Sequence, residues 1–143
     1  MPGASDLHKA MFDAIQARDF DALKRLFGSR SVHISGDGVE KHGPDPVIGE
    51  VSMFTTAFPD LTITIRHQYV PDDSVSVIEY TFSGTHRGEL EGLSPTDKKV
   101  SVVACSVLEA ESGKIVREAD YFDTTALLAQ LGQHYAVPLG PPA

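Results

Sequence analysis

The chain has 143 residues, with 12 Lys or Arg against 20 Asp or Glu, so its formal net charge is −8. This length predicts one domain over residues 1–143, and the 41% of hydrophobic residues are enough for a core. The acidic balance argues against a nucleic-acid partner, the single cysteine excludes an internal disulfide, and no apolar run is long enough to cross a membrane. We therefore expect a cytoplasmic protein without a membrane or nucleic-acid partner.

Helical periodicity dominates the first part of the chain. The spacing of apolar residues predicts these elements: a helix over about 6–18, a short helix over about 19–28, a brief strand at 32–34 and a helix over about 46–58. Ser5 or Asp6 is the expected N-cap of the first helix. Gly28 is expected to end the second helix, and Pro59 follows the third.

The periodicity changes after Pro59 to the two-residue repeat of strands. Four long strands are predicted over about 61–69, 75–87, 100–108 and 114–122, followed by a short helix between Asp123 and Gly132. In the first of these strands, residues 61, 63, 65, 67 and 69 are expected to form one half-buried face. The third strand is β-branched and nearly uncharged, which favours burial on both faces. The folded core should cover about 6–132, with a mobile tail over 133–143.

Segregated helices and strands indicate the α+β class. An antiparallel sheet that curves around one long helix leaves a cone-shaped cavity between them. Such a cavity favours a small-molecule ligand.

Five short segments, with two aspartates between them, occur in the order and spacing of the SnoaL-like polyketide cyclase family. The segments are Ala57-Phe58-Pro59-Asp60-Leu61, Gly84-Thr85-His86-Arg87-Gly88, Gly92-Leu93-Ser94-Pro95-Thr96, Ser112-Gly113-Lys114-Ile115 and Leu127-Leu128-Ala129-Gln130-Leu131-Gly132, with Asp120 and Asp123 before the last. The chain resembles this family from about residue 7 to 132. The resemblance implies the cone-shaped roll of ketosteroid isomerase and nuclear transport factor 2, and a homodimer.

The resemblance also implies chemistry. SnoaL-like cyclases close a polyketide ring by an intramolecular aldol reaction, without a metal, and an aspartate in the last long strand acts as general acid and base. The corresponding residue here is Asp120. If its strand face lines the cavity, desolvation would raise its pKa and make it a proton shuttle near neutral pH; otherwise it is a carboxylate at a solvated edge.

Glu118 shares the strand face of Asp120, so the two carboxyls are expected to hold one proton between them. In many members of the family a histidine stands at this position, so Glu118 departs from the family's usual set of polar residues. Two histidines are further candidates. His86 follows the apolar face of the second long strand and either polarises a substrate oxygen or supports the turn that follows, whereas His33 is a candidate cavity residue on the brief strand.

Aromatic and small polar residues are candidates for the pocket wall. Tyr80 offers a phenol hydroxyl, although an aromatic residue on a strand face is more often core. Phe12 occupies a position where many relatives place a tyrosine, so this hydroxyl is absent, and Ser106 replaces a more strongly polar residue. Phe54 and Phe58 are mainly packing residues of the third helix, with at most a share in the pocket wall.

Neither a metal nor another cofactor is expected. The six histidines show no i, i+4 pair and no cysteine partner, and no glycine-rich phosphate loop is present. Cys105 lies in the third long strand and is interpreted as a small buried hydrophobe.

Two hypotheses follow. The first is a cofactor-free enzyme that binds a small, largely apolar carbonyl compound and uses Asp120 for proton transfer. The second is a non-catalytic module that binds a small hydrophobic ligand or serves only dimer assembly.

Overall fold

The computed structural model describes residues 1–133, and the remainder of the predicted tail lies outside the described residues. The elements are α1 (Ala4–Ala17), α2 (Phe20–Leu26), β1 (Phe27–Ile34), β2 (Lys41–His42), α3 (Asp45–Ala57), β3 (Thr62–Asp72), β4 (Val75–Thr85), β5 (Lys99–Glu111), β6 (Lys114–Phe122) and α4 (Thr124–Gln130). Within residues 1–133, none of these helices is long and apolar enough to cross a membrane.

The strands form one six-stranded curved sheet in the order β2-β1-β6-β5-β4-β3. Strands β3 to β6 are joined as successive antiparallel neighbours, as predicted, and β1 pairs with β6 in parallel. The α+β class is therefore confirmed, with a mixed rather than a purely antiparallel sheet. The parallel pairing matters for the site, because it places β1 beside the last long strand.

Helix α1 lies across the inner face of the sheet and contacts β3, β4, β5 and β6. Its apolar stripe is buried there, as the helical spacing predicts. The expected cap is wrong: Gly3 is the N-cap, and neither Ser5 nor Asp6 caps the helix. The backbone N–H of Ala4 instead donates to the carbonyl oxygen of Asp73 at 2.8 Å, so tertiary contact replaces a side-chain cap.

Helix α2 passes directly into β1, so the predicted end at Gly28 is two residues late. The predicted brief strand at 32–34 is the end of this longer strand. Exposed polar residues at the centre of β1 interrupt its hydrophobic pattern, so the pattern predicts only the end of the strand. The two-residue β2, which pairs with the end of β1, was not predicted.

Strand β5 is buried on its inner face only, which contradicts the prediction of burial on both faces. Val102, Ala104 and Leu108 are buried, whereas Val103 is 64% exposed. Cys105 is half-buried on the outer face and is not the core residue that was predicted. A run of β-branched residues therefore does not establish two-sided burial, because an outer face can also be apolar.

Strand β3 is at the edge of the sheet, and its predicted half-buried face is largely exposed. The register with β4 shifts between Ile65 and His67, which reverses the alternation of the side chains. Tyr69, which follows the shift, is consequently exposed. Ile65 precedes the shift and is exposed at the sheet edge, and Ile63 remains half-buried against the core. The alternation of residue types over 61–69 gave no sign of this irregularity.

Candidate active site

A pocket opens between α1, α3 and the inner face of the sheet. The empty space within its lining, including the part that is open to solvent, is about 590 Å³. Most of the lining side chains are apolar and come from both helices and from the sheet: Met11, Phe12, Ile15, Val51, Phe54, Leu61, Ile63, Phe82 and Phe122. Such a lining suits the carbon skeleton of a small molecule.

The polar lining groups are His33, Ser35, Glu50, Tyr80 and Asp120. The inner face of β6 is thus the face of Asp120, which settles the orientation that strand parity left open. The Tyr80 hydroxyl donates to Asp120 Oδ1 at 2.9 Å. This pair places a phenol and a carboxyl group against an otherwise apolar wall.

Asp120 and Glu118 form a pair with opposite pKa shifts. Burial, followed by repulsion from the Glu118 carboxylate, raises the pKa of Asp120 well above its usual range. Burial also acts to raise the pKa of Glu118, but hydrogen bonds from His33, Asp120 and Ser106 and the charge on His33 outweigh it and lower that pKa. The opposite shifts favour a shared proton on Asp120 and the negative charge on Glu118.

His33 is buried between two carboxylates. Its Nδ1–H donates to Glu118 Oε2 at 2.8 Å, and its Nε2–H donates to Glu50, whose other carboxylate oxygen accepts from the Ser35 hydroxyl. Burial alone would lower the pKa of His33, but the hydrogen bonds and charges of the two glutamates raise it to about 10. The imidazolium neutralises one of the two negative charges that it contacts, of which only that of Glu118 is fully buried.

Ser106 and His8 lie behind this cluster. The Ser106 hydroxyl donates to Glu118 Oε1 at 2.7 Å, and Ser106 Oγ is 2.9 Å from His8 Nε2. On the other side of the ring, His8 Nδ1 is 2.7 Å from Ser76 Oγ. Burial lowers the pKa of His8 to about 4 against the opposing charge of Glu118, so this ring is neutral at physiological pH. Ser106 thus touches the carboxyl pair, and the pocket lining does not include it.

His86 lies apart from the pocket. It is fully buried, its Nδ1 accepts from the backbone N–H of Thr96 at 3.1 Å, and its ring packs on Phe58 with centroids 5.6 Å apart. Its Nε2 has no hydrogen-bond partner among the described residues. This placement supports the loop after β4. Phe58 is fully buried and likewise lies outside the pocket lining.

The other aromatic candidates surround the pocket. The rings of Phe12 and Tyr80 are 4.9 Å apart, and Phe54 packs edge-on against Phe82 and Phe122. Phe12 occupies the pocket wall without a hydroxyl, so Tyr80 is the phenol of the described site. These aromatic side chains narrow the cavity, and Asp120 still lines it.

Three functional candidates were missed by the sequence reasoning: Glu50, Ser35 and His8. Glu50 lies three residues after Val47 and four before Phe54, so it interrupts the apolar side of α3. His8 interrupts the apolar stripe of α1, three residues before Met11. A polar residue inside an apolar helical stripe is a signal that could have found both of them. Ser35 follows β1 in a polar loop, and the sequence carries no comparable signal for it.

His33, Glu118 and Asp120 offer one possible metal-ligand atom each, and these atoms lie within 4.8 Å of one another. The donor set does not suit a metal ion. Both ring nitrogens of His33 donate to carboxylates, and its raised pKa keeps the ring protonated, a form without a lone pair for a metal. The arrangement is suited to holding and moving a proton.

Solved structures share this fold. AclR from Streptomyces galilaeus, provisionally classed as a hydroxylase, is 27% identical with a TM-score of 0.79, covering 93% of this chain and 83% of that chain. IdmH from Streptomyces antibioticus, provisionally classed as a polyketide cyclase, is 24% identical with a TM-score of 0.77, covering 90% and 97%. A protein from Jannaschia sp. CCS1, provisionally classed as a SnoaL-like polyketide cyclase, is 16% identical with a TM-score of 0.82, covering 99% and 97%.

These likenesses and the curved sheet around α1 define an α+β protein of the nuclear transport factor 2-like class. The sequence matches the family of SnoaL-like polyketide cyclases over residues 5–131, and the chain belongs to this family. The resemblance inferred from the sequence motifs is thus confirmed. A comparison with curated proteins finds no significant match. Family membership supports a role of the cyclase or isomerase type.

Proposed function

We propose that the protein binds a small, largely apolar carbonyl compound and transfers protons beside its carbonyl group, as a cofactor-free cyclase or isomerase. The observation that carries the proposal is the Tyr80–Asp120 pair at the polar end of an apolar pocket. A carbonyl oxygen that replaces water there would meet a neutral carboxyl group, which is a good hydrogen-bond donor.

Asp120 acts first as an acid on this proposal. Its raised pKa favours the protonated form, which donates to the carbonyl oxygen as enol character develops. The resulting Asp120 carboxylate would lie beside the charge on Glu118, and this repulsion favours return of the proton. The same residue therefore serves as acid and then as base, while the Tyr80 hydroxyl stabilises the carboxylate that forms.

Glu50 is the proposed base for the carbon-bound proton. Its carboxylate lines the pocket, and His33 and Ser35 fix its orientation. Removal of a proton from the carbon beside the carbonyl, with proton donation by Asp120 to the oxygen, converts a ketone into its enol. Protons and charge balance in this step, since one proton is taken by Glu50 and one is given by Asp120.

The first prediction concerns Asp120→Asn. We expect solvent deuterium exchange beside the carbonyl of two- to four-ring ketones, with 2-tetralone as the first probe, to slow at least ~100-fold. The amide keeps the size of the side chain but cannot give up or regain the proton. Proton NMR of the ketone in D₂O measures the rate, and Glu50→Gln should reduce it on the same scale.

Asp13→Asn on the exposed side of α1 is the matched control and should exchange at the wild-type rate. Equal rates in the Asp120→Asn variant and the wild type would contradict the proposed acid. The alternative of a non-catalytic binding module is favoured by the mostly apolar pocket wall. It predicts saturable binding of the ketones, seen by saturation-transfer NMR, without exchange above the solution rate.

We also propose that the protein is a homodimer. Val103 and Tyr121 are 64% and 53% exposed on the outer face of adjacent strands, where Tyr121 pairs with Cys105. Large apolar side chains grouped on one open sheet face support a second copy as their partner.

A further inference from the structure

A row of hydrogen-bonded side chains leads from the edge strand β3, across the inner face of the sheet, to Glu118. Gln68 Nε2 donates to Ser76 Oγ at 3.1 Å, and Ser76 Oγ is 2.7 Å from His8 Nδ1. His8 Nε2 is 2.9 Å from Ser106 Oγ, which donates to Glu118 Oε1 at 2.7 Å. The three inner members, Ser76, His8 and Ser106, are completely or almost completely buried, and Gln68 is half-buried.

The carboxylate at the inner end sets the direction of the hydrogen bonds in this row, because Ser106 has a single hydroxyl hydrogen and donates it to Glu118. The amide nitrogen of Gln68 can only donate, and the ionised carboxylate of Glu118 can only accept. Ser76 Oγ accepts the amide hydrogen of Gln68, and its own hydroxyl hydrogen is available to His8 Nδ1. The neutral ring of His8 then carries its hydrogen on Nε2 and donates it to Ser106, whose hydroxyl hydrogen is directed to Glu118.

We propose that Gln68, Ser76, His8 and Ser106 form a directed hydrogen-bond relay that keeps the negative charge on Glu118 and thereby the exchangeable proton on Asp120. His8 and Ser106 are positioning residues, since they act through Glu118 and lie outside the pocket lining. The relay concerns the location of one proton. It rests on the proposed function only where these residues are given a role in catalysis.

Charged and titratable groups surround the Glu118–Asp120 pair from four further elements: His8 from α1, His33 from β1, Glu50 from α3 and Tyr80 from β4. His33 supplies a positive charge and one donor, to Oε2. The relay supplies the donor to Oε1 without adding charge. A neutral donor of this kind stabilises the carboxylate and leaves the net charge of the pocket unchanged.

A relay in the opposite direction would have a different effect. With its hydrogen on Nδ1, His8 would donate to Ser76 and accept from Ser106 at Nε2. The Ser106 hydroxyl hydrogen would then leave Glu118, and the shared proton would move from Asp120 toward Glu118. The tautomer of His8 thus determines whether Asp120 or Glu118 carries the shared proton.

Gln68→Glu tests the direction, because it replaces the donor at the outer end by a group of the same shape that only accepts. Full-length protein labelled with ¹³C and ¹⁵N is titrated by NMR, with His8 ring nitrogens and the Asp120 and Glu118 carboxyl carbons as reporters. In the wild type we expect the hydrogen of His8 on Nε2 and the proton on Asp120. In the variant we expect the hydrogen on Nδ1 and a shift of the carboxyl proton toward Glu118.

Ser106→Ala removes the last donor and provides a second test if the first variant does not fold. The ratio of protonated Asp120 to protonated Glu118 should fall by at least about tenfold, because a hydrogen bond to a charged group is lost. Gln16→Glu is the matched control, because it adds the same charge at an exposed position near β3. Gln16 Oε1 accepts from the Ile63 N–H, and a carboxylate can accept the same hydrogen bond.

The relay is wrong if wild-type His8 carries its hydrogen on Nδ1, or if the carboxyl carbons of both test variants titrate as those of Gln16→Glu do. These measurements use no substrate. If the proton follows the relay but Asp120→Asn leaves ketone exchange unchanged, the relay stands and the proposed function fails. If ketone exchange depends on Asp120 but the relay variants leave the carboxyl proton on Asp120, the proposed function stands and the relay fails.

Discussion

His8 and His33 are both buried, yet their surroundings move the two pKa values in opposite directions. His33 donates to two glutamates, which hold its pKa near 10, whereas His8 contacts two serine hydroxyls and its pKa is near 4. Burial disfavours the charge in both rings. The difference is that only His33 has direct contact with negative partners, which offset the loss of solvation.

The neutral state of His8 predicts acid sensitivity of the fold. The unfolded chain binds a proton at this residue below about pH 6.5, and the folded chain binds it only below about pH 4. The folded-state pKa is therefore depressed, and the free energy of unfolding should fall as pH falls through this window. The loss attributable to His8 should reach about 2 kcal/mol at pH 5, measured by urea unfolding between pH 4 and 7.

His8→Gln should weaken this pH dependence, because glutamine does not titrate and can still donate to Ser106 and accept from Ser76. The matched control is His67→Gln on the exposed part of β3, which should keep the wild-type slope. Parallel curves for wild type and His8→Gln would show that His8 is not the residue whose protonation destabilises the fold.

Some of these residues could be identified from sequence and others could not. Asp120 is a candidate from sequence because it corresponds to the aspartate of the SnoaL-like family, and the expected shared proton with Glu118 follows from strand alternation. His33 was placed on a strand, but its contact with Glu118 joins residues 85 positions apart through the parallel pairing of β1 and β6. Nothing in the local pattern of either segment indicates that pairing.

At the scale of elements, the loop after β4 is held closely against the end of α3. The backbone N–H groups of Arg87 and Gly88 donate to the Ala57 carbonyl oxygen at 2.9 and 3.1 Å. A Cβ atom on Gly88 would lie 2.2 Å from the carbonyl oxygen of Thr56, a backbone atom that cannot rotate away. This close approach requires glycine for steric reasons and positions α3, which carries Glu50 and Phe54.

We predict that Gly88→Ala destabilises the protein by at least about 2 kcal/mol, because the loop or the helix must move to remove the clash. Gly49→Ala is a comparison within α3, where an added Cβ meets no described atom within 4 Å. This substitution should stabilise the helix by about 0.5–1 kcal/mol. Urea unfolding measures both, and an equal effect of the two substitutions would contradict the steric explanation.

The elements differ in how well the sequence predicted them. Strand β6 was predicted with its observed bounds, since a tight turn and a capping aspartate mark its ends. Strand β3 was predicted with the wrong exposure, because a register shift at a sheet edge depends on its partner strand. The N-cap of α1 was wrong for a similar reason, since Asp73 satisfies that helix end from another part of the fold.

At the scale of the whole molecule, the outer sheet face bears on the proposed dimer. We predict that Val103→Glu gives a monomer at micromolar concentration, because it buries a charge in the proposed interface. Sedimentation equilibrium measures the mass. Val39→Glu is the matched control, since Val39 is 54% exposed in the loop after β1 and should leave the dimer intact. A monomeric wild type, or a dimeric Val103→Glu variant, would contradict this interface.

Periodicity, turn residues and motif spacing are local properties, and they were enough to predict the family, the α+β class and the order of the main elements. The family resemblance in turn made Asp120 the leading candidate. The tertiary structure decided which strand faces point inward, which strands are neighbours and what surrounds each buried charge. His8 and Ser106 are 98 residues apart and meet only because α1 crosses the sheet. The pKa values of the site depend on such contacts, since desolvation and charge interactions act through space rather than along the chain.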